Sequence, residues 1–160
     1  MLAGMPMVTL LCGPAGAGKT TYARKLERRG AVRLSMDEAV WDDGWRQDEP
    51  PQERLDALYA GLRDDLAHAV EAGSDVVVDL SLADRSVRDE WRELCASTGV
   101  DCELLVFTAP FEVLWQRVKR RNDEEHANAV RMTESRLRLY VDGFDWPAAD
   151  EDARVVNTAE

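Results

Sequence analysis

The sequence predicts an α/β fold in which a parallel sheet is covered by helices on both faces. Three observations carry that prediction. Short apolar, β-branched runs alternate with stretches of helical period along the chain. The connections are brief and closed by glycine, at Gly30, Gly73 and Gly99. The run at 75–80, Asp-Val-Val-Val-Asp-Leu, is continuously apolar at its centre, as a strand buried on both faces requires. Such alternation implies right-handed crossovers, with ligands bound beyond the C-terminal ends of the strands.

Residues 7–12, Met-Val-Thr-Leu-Leu-Cys, read as the first strand and 20–29 as the helix after a glycine-rich turn. Gly30 stops that helix, and 31–35 reads as a second, short strand, which completes one βαβ unit. Residues 36–52 hold no sustained period. They carry Pro50 and Pro51, with Asp37, Glu38, Asp42, Asp43, Asp48 and Glu49 around Trp41 and Trp45, and predict a loop or short irregular helix. From Glu53 the period is helical, with Leu55, Leu58, Tyr59, Leu62, Leu66, Ala69 and Val70 on one stripe and Gly73 as the stop. The third strand, 75–80, places Asp79 at the C-terminal edge of the sheet. Asp84 is positioned to cap a helix with Val87, Trp91, Leu94, Cys95 and Thr98 inward.

Residues 102–108 make the fourth strand, and Pro110 suits the first turn of a helix with Phe111, Leu114, Trp115 and Val118 inward. Beyond Arg121 the period lapses through 122–128 and resumes at Leu137, Tyr140, Val141 and Phe144. That gap, about 122–131, is a candidate lid. An acidic loop at 147–152 leads to a fifth, edge strand at 153–157. Without internal repeat, linker or low-complexity tract, residues 1–160 are expected to form one domain.

Between the first strand and its helix lies Gly13-Pro14-Ala15-Gly16-Ala17-Gly18-Lys19-Thr20, which fits the pattern G-x-x-x-x-G-K-[ST]. Glycines let the backbone take left-handed angles and turn N–H groups inward around an anion. Lys19 adds a mobile charge for the β and γ phosphates. The Thr20 hydroxyl is the expected Mg²⁺ ligand, and the helix N-terminus, with Thr21, points at the same anion. The pattern therefore predicts a nucleotide-binding P-loop with Mg²⁺ and leaves ATP against GTP open. A strand before it and a helix after it argue against a chance glycine turn.

The formal charge of -11 argues against a broad nucleic-acid footprint, which needs a basic face, although one local basic patch could still hold a phosphate. The oligomeric state is left open. Cys12, Cys95 and Cys102 have no C-x-x-C spacing and lie far from His68 and His126, so reduced thiols and no zinc site are expected. The start resembles no signal peptide and no stretch approaches membrane-spanning length, which predicts a cytoplasmic protein with no membrane partner.

At the C-terminal edge of the predicted sheet, the P-loop, Asp37 and Asp79 converge from distant parts of the chain. Asp37 is a candidate activator of an attacking hydroxyl or, alternatively, a helix N-cap. Asp79 closes an apolar strand beside the P-loop, where a carboxylate serves Mg²⁺ directly or through water, or else turns the chain. Arg117, Lys119, Arg120 and Arg121 form either a phosphate grip or a solvated helix end. Arg85 and Arg88 pair with an acceptor or with nearby acids. Trp41 and Trp45 serve the core or a stacking platform. The acidic stretch 37–49 suits an amine-bearing alcohol, or is a solvated loop.

With a P-loop on strand one, a carboxylate past strand two, a strand-three Asp and an arginine pair before a lid, the chain resembles the small P-loop kinases. That group includes polynucleotide kinase, gluconate kinase and chloramphenicol phosphotransferase, within the AAA-type ATP-binding domain family. The resemblance implies a three-layer P-loop NTPase fold with a five-stranded parallel sheet of order 2-3-1-4-5. It implies Asp37 as the acceptor-activating residue, Asp79 as the Walker B-like metal carboxylate, Arg117 over adenine and Arg121 on phosphate, with Arg120 replacing it if the register slips. The implied catalytic set is Lys19, Asp37 and Arg121. The implied activity is transfer of the γ-phosphate of Mg-ATP to a hydroxyl of a small molecule. Polynucleotide kinases often place an arginine shortly after the strand-two Asp; here Glu38, Ala39 and Val40 follow and the next arginine is Arg46. A polynucleotide 5′-hydroxyl kinase, or a nucleotide-binding switch without an acceptor, stands as the alternative.

Overall fold

The computed structural model describes residues 4–46, 48–124 and 131–159. Five strands, β1 (Val8–Cys12), β2 (Val32–Ser35), β3 (Val76–Asp79), β4 (Cys102–Thr108) and β5 (Arg154–Asn157), form one sheet of order β2-β3-β1-β4-β5. Every pairing is parallel. The order is the one the resemblance implies. In it the side on which successive strands are added reverses at β1, which has β3 on one side and β4 on the other, so the loop after β1 lies at the switch point.

Among the described residues six helices connect the strands: α1 (Lys19–Arg28), α2 (Met36–Asp42), α3 (Gln52–Glu71), α4 (Arg85–Ser97), α5 (Phe111–Arg121) and α6 (Glu134–Asp142). Strand alternation splits the core into two layers. Val8, Leu10 and Cys12 of β1, with Val76 and Val78 of β3, pack under Leu62, Leu66 and Ala69 of α3 and Trp91 and Cys95 of α4. Leu11, Val77, Leu105 and Phe107 face the other way, against Ala23 of α1 and Leu114 and Val118 of α5. Helix α6 closes the end of both layers, with Leu137 in the second and Phe144, just past its end, in the first.

Several local expectations shift. The irregular stretch after β2 begins as a helix because Ser35, the last strand residue, caps α2: its Oγ accepts from Glu38 N at 3.2 Å. Asp84 occupies the N-cap position of α4, but the first N–H there, that of Arg85, donates to Asp145 Oδ2 at 3.1 Å instead. Pro110 precedes α5 rather than opening it. The acidic stretch before β5 contains a 3-10 turn, Ala149–Glu151.

That turn is held by Arg88, which is fully buried. Its Nε and Nη2 donate to Glu151 at 2.7 and 3.1 Å, and its Nη1 to Leu82 O at 2.9 Å. Arg85 pairs with Asp150 alongside it. Both arginines therefore pair with nearby acids, pinning the C-terminal segment to α4, and neither lines the cleft described below. Trp41 and Trp45 are half-buried and join neither core layer. Arg46 lies 3.8 Å over the Trp41 ring, and Trp45 Nε1 donates to Asp43.

Candidate active site

The chain leaves β1 through Gly13, whose N–H donates to Ser81 O at 3.0 Å in the loop after β3. Gly13 has φ +150, and a Cβ there would sit 2.7 Å from Phe107 O. Gly16, at φ +83, would place one 2.8 Å from Leu114 O. Both positions exclude side chains on steric as well as conformational grounds, so the loop passes tightly between β4 and α5. Gly13, Pro14 and Ala17 are buried and shape the loop, whereas Ala15, Gly16, Gly18, Lys19, Thr20 and Thr21 line the cleft above it. Lys19 Nζ donates to Gly13 O at 2.6 Å and Pro14 O at 3.0 Å. Burial pushes its ammonium down to about 8, opposed by attraction to Asp79.

The two strand-end carboxylates sit in different settings. Asp79 is buried, at the end of β3 level with Leu11 of β1 and Ser35 of β2. Its Oδ2 accepts from Thr20 Oγ1 at 3.1 Å, which joins the P-loop helix to β3. The same oxygen accepts from Arg33 Nε at 3.0 Å and Nη2 at 2.8 Å. Asp37 is exposed and lines the cleft. Because Ser35 already caps α2, the capping role weighed for Asp37 does not apply.

Helix α5 brings its basic last turn to the same cleft: Arg117, Arg120 and Arg121 line it, and Lys119 does not. Burial lowers the pKa of Arg121, and the strongest opposing pull is from Asp37. Arg117 Nη1 donates to Gly16 O at 3.0 Å and Thr158 Oγ1 at 2.9 Å, and Nη2 donates to Thr158 O. Thr158 in turn donates to Ala17 O at 2.7 Å. Its hydroxyl, just past β5, thus clamps the P-loop from the side opposite Asp79. Sequence reasoning missed Thr158 and Arg33; the available signals were a hydroxyl residue after the last strand and a lone charge inside a short apolar one.

Together these groups line a cleft of about 500 Å³, within the size range of small-ligand sites. Met36, Leu80, Ser81, Val118 and Met132 complete it. Thr20 and Asp79 offer hard oxygen donors. Among the described residues no group of three or more His, Cys, Asp or Glu gathers to cage an ion. Such a donor pair fits Mg²⁺, which keeps waters and phosphate oxygens as its other ligands.

Of the six acids in 37–49, only Asp37 lines the cleft. Glu38 pairs with Arg33 and Asp43 with Arg54. Residues 125–130 of the candidate lid lie outside the described residues. At its base, Asn122 Nδ2 donates to Met132 O and Met132 N to Asn122 Oδ1, both at 2.9 Å. No helix among the described residues is long and apolar enough to cross a membrane.

A family model described as an AAA domain matches residues 8–147. None of the curated proteins compared matches the chain. Among solved structures, the fold is similar to a chain of the Pnkp1/Rnl/Hen1 RNA repair complex, at 19% identity, TM-score 0.75 and 89% coverage of this chain. It is similar to a gluconokinase from Sinorhizobium meliloti 1021, at 18% identity and TM-score 0.65, covering 98% of this chain and 85% of that one. Chaetomium thermophilum Kti12 in complex with ADP-AlF3 matches at 17% identity and TM-score 0.68, with coverage of 94% and 89%. The chain spans only 40% and 45% of the two RNA repair complex chains it matches. At such identities the likeness is one of fold.

Proposed function

The chain belongs to this AAA domain family and has the fold of the P-loop kinases, and on that premise we propose that it is an ATP-dependent phosphotransferase. It moves the γ-phosphate of Mg-ATP to a hydroxyl of a small-molecule acceptor. The observation that carries this reading is the exposed carboxylate of Asp37 in the same cleft as Lys19, Arg121 and the Thr20–Asp79 pair. A carboxylate facing solvent beside the phosphate site is accessible to an acceptor hydroxyl.

In this reading the P-loop backbone binds the phosphates, and Lys19 exchanges its two loop carbonyls for γ-phosphate oxygens. Thr20 and Asp79 are the residues that would hold Mg²⁺, which supplies charge neutralisation between the β and γ phosphates. Arg117 offers its flat face to adenine while its edge stays bonded to Gly16 and Thr158. Arg121 neutralises charge developing on the transferring group. Asp37 orients the acceptor hydroxyl and takes its proton. Residues 1–160 act as a single cytoplasmic domain.

The test is a transfer screen with γ-labelled ATP against neutral, phosphorylated and amino sugars, amino-alcohols and a 5′-hydroxyl oligonucleotide. Label appearing in a small alcohol supports the proposal. Label in the oligonucleotide alone would move the function to polynucleotide repair, a role that the net charge of -11 and the absence of an arginine soon after Asp37 both oppose. Binding of Mg-ATP with no transfer to any alcohol would contradict it.

A further inference from the structure

Arginine is an unusual choice for a strand residue whose side chain is buried, and Arg33 occupies such a place on the edge strand β2. It lies in β2 opposite Val77 of β3, and its side chain is 4% exposed. Alternation along β2 sends Leu34 into the α3–α4 layer and Arg33 to the other face, which α1 covers. A buried guanidinium must spend its donors on partners to offset lost hydration. Arg33 spends them on two carboxylates of different elements. Nε and Nη2 reach Asp79 Oδ2, and Nη1 reaches Glu38 Oε1 at 3.1 Å. Glu38 is the neighbour of Asp37 on α2.

We propose that Arg33 is a positioning residue that joins the metal-side carboxylate Asp79 to the helix bearing Asp37, fixing the two functional carboxylates relative to each other. The inference rests on the phosphotransferase reading for the roles of those carboxylates. Its geometry is independent of the acceptor. Arg33 and Thr20 all donate to one oxygen of Asp79, which leaves the other, Oδ1, for the metal and its waters. The rigid fork of a guanidinium holds Asp79 and Glu38 at a fixed geometry, whereas an ammonium offers its three donors from a single flexible point. Supporting partners of this kind orient a metal carboxylate without touching the metal.

A counter-charge and a positioning group predict opposite results. If Arg33 merely neutralised Asp79, removing it would leave more negative charge at the metal site and strengthen the Mg²⁺ response. If it positions Asp79, removal weakens that response by about 10- to 100-fold.

The experiment measures ATP binding by calorimetry across a Mg²⁺ titration for the wild type, Arg33→Met, Arg33→Lys and Glu38→Gln, with thermal unfolding as the control for folding. Expected is a Mg²⁺ requirement raised by that factor in Arg33→Met, with ATP affinity in EDTA unchanged. Arg33→Lys should restore it only in part. Glu38→Gln, which weakens only the α2 arm by removing its charge, should keep the Mg²⁺ response and slow transfer by up to about 10²-fold. If Arg33→Met does not fold, Arg33→Lys and Glu38→Gln carry the same contrast. A Mg²⁺ response unchanged or tightened in the arginine variants overturns the proposal. The expected binding shifts in a protein that labels no acceptor would support it while removing the phosphotransferase reading.

Discussion

Thr20 and Asp79 are joined by a hydrogen bond of 3.1 Å, although 59 residues separate them. The bond ties the first turn of α1 to the end of β3. It sets a hydroxyl and a carboxylate side by side, the pair that would hold Mg²⁺ in the proposed phosphotransferase.

Asp79→Asn is expected to raise the Mg²⁺ concentration needed for ATP binding before it affects binding in EDTA. The amide keeps shape but removes the negative charge and most of its affinity for a hard cation. It also strips Arg33 of its main partner, so thermal unfolding should fall as well. A variant with an unaltered Mg²⁺ titration would remove Asp79 from the metal site.

Lys19→Ala is expected to lower transfer by roughly 10² to 10³, the usual loss on deleting one preorganised charge on the transition state. Nucleotide affinity should weaken in parallel. Turnover near the wild-type value at saturating Mg-ATP would show that the loop holds phosphate without its lysine.

Arg117→Met is expected to weaken ADP binding by about tenfold or more, since charge-assisted hydrogen bonds to the Gly16 carbonyl and Thr158 are lost together. Thr158→Val should act in the same direction and less strongly, because it removes one arm of the clamp. Calorimetry with ADP reads both, and unchanged affinity in Arg117→Met would detach this arginine from the nucleotide.

The Arg88–Glu151 pair predicts acid sensitivity. The hydrogen bond from Arg88 holds the Glu151 carboxyl down to about 2 from its ordinary 4.5. Between those values the unfolded chain binds the extra proton. Stability from this pair is therefore fully present above about pH 4.5 and drains away as pH falls toward 2. Glu151→Gln should flatten that part of the stability curve. It should also cost about 3–5 kcal/mol at pH 7, because Arg88 remains buried without its counter-charge. Denaturant unfolding across this pH range gives both quantities, and parallel curves for the two proteins would contradict the linkage.

Strand identities and the motif loop were legible in the sequence because local pattern carries them. A continuous Val-Val-Val run can hardly be other than a buried strand, and three glycines before Lys19 can hardly be a helix. The sheet order came from the resemblance, and the helices were read from period and stops. What the sequence hid depends on pairs far apart along the chain. Helical spacing puts Arg88 on the face of Trp91 and Cys95, but nothing local names Glu151 as its partner or Asp150 as that of Arg85. Ser35 looked like the end of a strand, and only its bond to Glu38 N makes it the cap that frees Asp37 from that duty. Arg33 read as one polar residue in a weak strand until the neighbouring strand placed Asp79 against it.

The central claim is that Asp37 serves the acceptor and Asp79 the metal. Asp37→Asn keeps the shape of the side chain and removes its charge. It is tested beside the wild type in two measurements: the γ-labelled transfer screen and calorimetric binding of Mg-ATP. Transfer should fall by about 10² to 10⁴ while Mg-ATP affinity stays within about twofold. Loss of nucleotide or Mg²⁺ binding in step with transfer would contradict the assignment and exchange the roles of the two carboxylates.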